Sequence, residues 1–362
     1  MGRNLSFRDL DWPLLLVAVG LAGLGVMQIY STTAHSALAG EYRKQLDWVI
    51  VGVLAAVVIS QIDYHHIVEH APTLYVAGLG ALAGVLVLGN TVARTHRWLS
   101  IGGQSLQVSE LIKLVIILGS AFYLGRRPAK PVEWRDLAVL AAVAGLPAAL
   151  VALEPDLGTA LTYLAIVAAG VLLRGVRLRQ VAALGLLAAV LAPVGWHFML
   201  PYQRDRVMSF AHPSEDSRGS GYQVAQSKIA VGSGGLWGKG LGRGTQSQLG
   251  FVPVSHADFI FASFAEEQGF VGTAIALLLY LILLLRLLDG AQWAPDRAGA
   301  FLVAGLAAVL FFQVAVNIGM MIGWLPITGI PLPLMSQGGS SVFATFIGLG
   351  LALSVKRRRF VN

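Results

Sequence analysis

Ten apolar stretches of about twenty residues, separated mostly by short polar connections, run through this chain of 362 residues. A helix rising 1.5 Å per residue needs about 20 residues to cross the hydrocarbon core of a bilayer, so each stretch has the length of a membrane span. The predicted spans are about 13–32, 46–62, 72–92, 108–124, 137–153, 157–173, 180–199, 268–288, 299–320 and 341–355. Charge agrees with this reading: 12% of residues are Asp, Glu, Lys or Arg, against about 25% in soluble domains. The same composition excludes disorder, coiled coils and nucleic-acid binding. The expected fold is an all-α polytopic integral membrane protein, a single membrane domain over 1–362 with ten transmembrane helices. With no cysteine, disulfides, thiol catalysis and thiolate metal sites are ruled out.

The net charge of +7 is informative by location. An even number of spans puts both termini on one side. If that side is the cytoplasm, fifteen of the 26 Lys and Arg fall inside: Arg3 and Arg8, Arg126 to Arg135, Arg174 to Arg179, Arg286 and Arg297, and Lys356 to Arg359. Arg43, Lys44, Arg94 and Arg97 fall in short outer loops. This bias predicts a multi-pass membrane protein with both termini cytoplasmic. The one long connection, about 200–258, then lies on the outer face between spans seven and eight. It is rich in Gly and polar residues, and a loop of this length is usually functional. No ATP is available on that face.

Ionisable residues inside spans are costly and are functional candidates by default. In Ser109-Glu110-Leu111-Ile112-Lys113, the i,i+3 spacing puts Glu110 and Lys113 on one helix face. They form either a buried pair fixing helix packing or the wall of a polar cavity holding a head group or cation. His256-Ala257-Asp258, with Glu266-Glu267 beyond it, stands where the long loop re-enters the membrane. Asp258 there is a helix N-cap, a general base on a hydroxyl, or an oxygen ligand for a divalent cation. Glu266 and Glu267, being adjacent, cannot face the same way, so at least one packs between helices. The glycines between Gly232 and Gly244, with Lys239 and Arg243 among them, either let backbone N–H groups approach a phosphate or serve the turns of a re-entrant loop. No Gly-x4-Gly-Lys-Ser/Thr is present, which excludes a nucleotide loop. Near the end, the three prolines of Pro326 to Pro333 break any helix, and Gly338-Gly339-Ser340-Ser341 follows. Irregular backbone at this depth requires a protein or water-filled surround. Gln313 and Asn317, i,i+4 on the preceding span, read as interhelical hydrogen-bonders.

These elements, taken in order, resemble the SEDS family of bacterial polytopic proteins (shape, elongation, division and sporulation), most closely its elongation branch. The resemblance runs nearly end to end. It rests on Trp98-Leu99 with Gly102, Ser109 to Lys113, Glu154-Pro155-Asp156-Leu157-Gly158-Thr159, Gly221-Tyr222-Gln223 with Gln226-Ser227, Gly232 to Gln246, His256 to Phe261 with Glu266-Glu267, and Pro331-Leu332-Pro333 to Ser341. It implies a ten-helix fold and a peptidoglycan glycosyltransferase that polymerises lipid II into glycan strands during cell elongation, with a class B penicillin-binding protein as transpeptidase partner. The donor carries its own leaving group, a lipid pyrophosphate, so no nucleotide or organic cofactor is expected. A divalent cation, Mg or Mn, is expected at Asp258 and Glu110. By position Asp258 corresponds to the family's essential aspartate, as base or cation ligand. Substrate-binding roles are expected for Glu110, Lys113, Arg204, Gln226, Lys228, Lys239, Arg243 and Ser340. Glu154 and Asp156 either bind cation or substrate or form a solvated turn. Where relatives often carry glutamate, threonine and tyrosine, this chain has Val254, Ala257 and Gln337. The rival expectation is a flippase or transporter of the lipid-linked precursor, because intramembrane charges and broken helices also belong to transporters.

Overall fold

The computed structural model describes residues 10–360, apart from positions 35, 37, 89, 93–94, 102–103, 213–218 and 253. Arg3, Arg8, Arg94 and Gly102 lie outside the described residues. The chain starts with helices α1 (Trp12–Thr33), α2 (Glu41–Gln61), α3 (Tyr64–Glu69) and α4 (Ala71–Leu88). Strands β1 (Asn90–Val92), β2 (Thr95–Ile101) and β3 (Gln104–Gln107) follow, then α5 (Val108–Gly125), α6 (Trp134–Leu153), α7 (Leu157–Arg174) and α8 (Leu178–Phe198). Next come α9 (Pro201–Ala211), α10 (Ser220–Ser233), α11 (Thr245–Gln248), α12 (Ile260–Gln292), α13 (Arg297–Met321) and α14 (Gly339–Arg357). Among the described residues, nine helices are long and apolar enough to cross a membrane. The shorter α4 occupies the one remaining expected span, at about 72–92.

Helix starts follow local chemistry. Asp11 caps α1, accepting from the Leu14 N–H at 3.4 Å, with Pro13 in the first turn. Asp156 caps α7 through the Thr159 N–H at 3.1 Å, and Asp296 caps α13 through the Gly299 N–H at 2.8 Å. The core is built around α13, which packs on α5, α7, α12 and α14, while α2 lies along α14. By contrast, no residue of α8 from 181 to 198 is buried.

Three features add to the helical plan. The connection between α4 and α5 folds into an antiparallel sheet in the order β1-β2-β3, pairing Trp98 with Gln107 and Leu99 with Leu106. The segment 200–258 carries α9, α10 and α11 rather than running as plain loop. Lastly, α12 begins at Ile260, eight residues before the predicted 268. Its first turns bury Phe261 and Phe264, and it breaks at Gly269 (φ 67°, ψ −167°). Backbone hydrogen bonds fill the break, from Phe270 N to Gly235 O at 2.9 Å and from Val271 N to Leu236 O at 3.1 Å.

This contact decides the use of the glycine-rich run. Lys239 N and Gly240 N donate to Glu266 O and Glu267 O at 3.1 and 2.9 Å, so the run lies on α12 at backbone distance. A Cβ on Gly234 would collide with the Ala265 carbonyl oxygen, and one on Gly238 (φ 78°) with the Glu267 carbonyl oxygen. These glycines therefore serve helix-to-loop packing. Gly238→Ala is expected to destabilise the protein by about 1–3 kcal/mol from its left-handed backbone alone, with the steric clash adding to this. Thermal unfolding in detergent reads the effect, and an unchanged midpoint would contradict this packing role.

Candidate functional site

Two irregular segments meet at one end of the bundle: residues 254–259, leading into α12, and residues 322–338, between α13 and α14. Backbone polar groups of each segment pair with the other segment and with side chains. Gln337 N donates to His256 O at 3.1 Å, the Ser336 hydroxyl to Ala257 O at 2.7 Å, and the Asn317 amide to Asp258 O at 3.1 Å. Gln45 on α2 donates to Ser336 O at 3.0 Å and accepts from Gly338 N at 3.1 Å. A Cβ on Gly158 would lie 2.6 Å from Thr328 O, so the start of α7 also presses on this strap. Irregular backbone is tolerated here because its groups are paired and it walls a cavity.

That cavity has a volume of about 460 Å³ and brings together Asp258, Glu110, Asp156, Arg206, Gln107 and Ser340. Burial pushes the Asp258 carboxyl above the usual carboxylate range; the Arg206 guanidinium opposes this shift and the Asp156 carboxylate reinforces it. A carboxylate so placed holds a proton more readily than an exposed one, as a general base acting on a hydroxyl requires. Glu110, in the first turn of α5, accepts from the Lys113 ammonium at 2.6 Å, and both side chains are almost wholly buried. The Asp156 carboxylate, besides capping α7, accepts from the Gln107 amide at 3.3 Å, and Gln107 N donates to the Ser340 hydroxyl at 2.8 Å. A second chamber of about 540 Å³, between α9 and α10, is lined by Asp205, His212 and Gln223 and shares Tyr202, Arg206 and Ile327 with the first.

Of the residues expected at a site, the fold gathers Asp258, Glu110 and Ser340 at this cavity, with Lys113 bound to Glu110 behind it. Asp156, one of the two acids left open between binding and a turn, lines the cavity and caps a helix at once. Glu154 is buried rather than solvated. The other cationic candidates lie elsewhere. Arg204 donates to the Trp196 and His197 carbonyl oxygens at the end of α8, at 3.1 and 2.6 Å. Lys239 donates to the buried Glu266 at 2.7 Å, and Glu266 also accepts from Gln246 N and Ser247 N at 2.9 and 3.1 Å. Arg243 is exposed on the glycine-rich run, and Gln226 is half-buried on α10. Lys228 lies in a small cleft beside Gly323 that also touches Arg206. Glu267 accepts from Ser31 Oγ at 2.7 Å and from Gln28 and Gln248, so both adjacent glutamates pack between elements.

The residue missed by sequence reasoning is Arg206. Two positions along α9 from Arg204, it points some 200° away around the helix and so faces the cavity. An i,i+4 reading of α9 from Tyr202, a second cavity residue, would have selected it. Among the described residues no three His, Asp or Glu side chains converge as a metal site. A hard cation here would take one or two carboxylates and complete its shell from water and substrate phosphate, a pattern that suits Mg²⁺.

Comparison with known proteins agrees with the motif reading. The family model for the FtsW, RodA and SpoVE cell cycle proteins matches residues 12–360. The peptidoglycan glycosyltransferase MrdB of Escherichia coli (strain K12) is 37% identical over 351 residues, covering 97% of this chain and 94% of that protein. Stage V sporulation protein E of Bacillus subtilis (strain 168) is 34% identical over 359 residues, covering 96% and 97%. Among solved structures, a chain of a peptidoglycan synthase complex, described as structurally coordinating polymerization and crosslinking, superposes with a TM-score of 0.84 at 35% identity, covering 98% of this chain and 99% of that one. The rod shape determining protein RodA of Thermus thermophilus gives 0.74 at 31% identity, with the same coverage.

Proposed function

Because the chain belongs to the FtsW/RodA/SpoVE family of cell cycle proteins, we propose that it is a membrane-embedded peptidoglycan glycosyltransferase that polymerises lipid II on the outer face of the bacterial inner membrane, with both termini cytoplasmic. The observation that carries this reading is the cavity uniting Asp258, Arg206, Glu110 and Asp156 at the outer end of the helices. In the transfer, the acceptor sugar's 4-hydroxyl attacks the donor's anomeric carbon. Asp258 takes the hydroxyl proton as the new C–O bond forms. The bond from the anomeric carbon to the pyrophosphate oxygen breaks, and its electron pair leaves with the lipid pyrophosphate. Arg206, in contact with both chambers, is placed to neutralise charge developing on that leaving group. Two adjoining chambers also suit a polymerase, which must hold two lipid-linked sugars at once. A divalent cation, Mg²⁺ or Mn²⁺, bound at Asp258 with Glu110 nearby would add electrostatic stabilisation of the pyrophosphate.

The neighbouring synthase complex supports a partnership with a class B penicillin-binding protein that crosslinks the strands. The test is to incubate labelled lipid II and divalent cation with purified protein and its cognate partner, and to separate the products on a gel. A ladder of strands from wild type that vanishes in Asp258→Asn is the expected result. A ladder that survives in the variant removes Asp258 as the base, and no ladder from a well-folded wild-type complex revives the precursor-transporter reading.

A further inference from the structure

Asn317 sits near the outer end of α13, wholly buried, and its amide is committed to two carbonyl groups from different irregular segments. One is Asp258 O at 3.1 Å and the other Ile330 O at 2.8 Å. The residue before Ile330 is Gly329 (φ 72°), and a Cβ placed there would lie 3.7 Å from Asp258 Oδ2 and 4.0 Å from Arg206 Nη1. A single side chain thus ties the peptide bearing the cavity carboxylate to the strap that flanks that carboxylate and its neighbouring guanidinium. The Asn317 Oδ1 atom is buried with no hydrogen-bond partner among the described residues. Both donors of the amide are thus spent on carbonyl groups of irregular segments rather than on a neighbouring helix.

We propose that Asn317 is a positioning residue for Asp258, holding the 258 peptide and the Gly329-Ile330 strap in fixed register so that the carboxylate meets its substrate at a set distance from Arg206. The proposal rests on the glycosyltransferase reading for its kinetic consequence and on geometry alone for its structural one. Asn317→Leu keeps the branched shape and heavy-atom count while removing both donors, with bulkier methyl groups in their place. Displacement of a catalytic group by about 1 Å costs on the order of a hundredfold in rate. The expected result is therefore a fall in kcat of about ten- to a hundredfold, with KM for lipid II near the wild-type value. Asn317→Ser, which keeps one donor, should recover part of kcat, a graded rescue that a packing role alone would not give.

Amide hydrogen exchange gives a reading independent of activity. In Asn317→Leu, residues 256–262 and 328–332 should lose protection together, while the α2–α14 contact keeps its own. Wild-type kcat in a folded Asn317→Leu, or unchanged exchange in those two segments, overturns the proposal. If Leu prevents folding, Asn317→Ser is read alone, and wild-type kcat in it overturns the proposal equally. If the wild-type protein makes no strands, the glycosyltransferase reading fails, and the exchange result still decides whether Asn317 ties the two segments.

Discussion

Replacing Asp258 by asparagine is expected to lower strand polymerisation by about two to four orders of magnitude, the usual contribution of a positioned general base, while leaving the protein at least as heat-stable as wild type. The two effects share a cause. Burial holds the Asp258 carboxyl above the ordinary carboxylate range, so the folded protein binds that proton more tightly than the unfolded chain does. Stability from this group is fully present below the unfolded-state value, near 3.9, and is lost as the pH rises through the folded-state value. At neutral pH the ionised carboxylate is therefore a net burden on the fold, which asparagine lifts at nearly constant volume. Thermal unfolding across the acid-to-neutral range should show the variant gaining on wild type as pH rises and losing that advantage in acid. In wild type, the acid limb of activity should lie above the ordinary aspartate range. A variant that polymerises at the wild-type rate, or that melts well below wild type at neutral pH, would remove Asp258 from this role.

The second large effect is expected at Lys113. Its ammonium lies 2.6 Å from the Glu110 carboxylate with both side chains almost wholly buried, and removing one partner of such a pair strands the other charge. Lys113→Met is expected to cost about 3–5 kcal/mol, whereas Glu110→Gln combined with Lys113→Met should recover most of that loss by leaving no charge behind. Because Glu110 lines the cavity, the double variant should regain stability without regaining strand synthesis. Thermal unfolding and the strand ladder together separate the two quantities. A single variant as stable as wild type would place the pair in a far better hydrated setting than the fold gives it.

The sequence features that became visible structure are those set by local periodicity or by chain direction. Apolar runs marked the crossing helices, Pro326 to Pro333 marked the irregular strap, and His256-Ala257-Asp258 marked the return of the long segment toward the membrane. Glu110 and Ser340 could be named because motif order ties them to Asp258, although about 150 and about 80 residues of chain separate them from it. Pairings made across the fold carry no such local signal. Nothing near Lys239 in sequence indicates that Glu266 will accept its proton-bearing amine, and the nearby glycines look equally suited to an anion. Arg206 was passed over for Arg204 because the 200–258 segment shows too little apolar pattern to mark α9 as a helix. Without helical phase, neighbouring arginines are equivalent. The small sheet over 90–107 was hidden for a similar reason: strands of three to seven residues give period-two alternation little room to register.

The break at Gly269 separates two mechanical jobs within α12. An unbroken helix over Ile260–Gln292 would extend about 50 Å, well beyond a hydrocarbon layer of about 30 Å. The portion after the break, residues 270–292, is about 35 Å long and can accommodate thinner or thicker bilayers by tilting. The portion before it is fastened through Glu266 and Glu267 to α1, α11 and the glycine-rich run, and it leads directly from Asp258. Lipid mismatch is thus expected to fall on residues 270–292, leaving the geometry around Asp258 the same in membranes of different thickness.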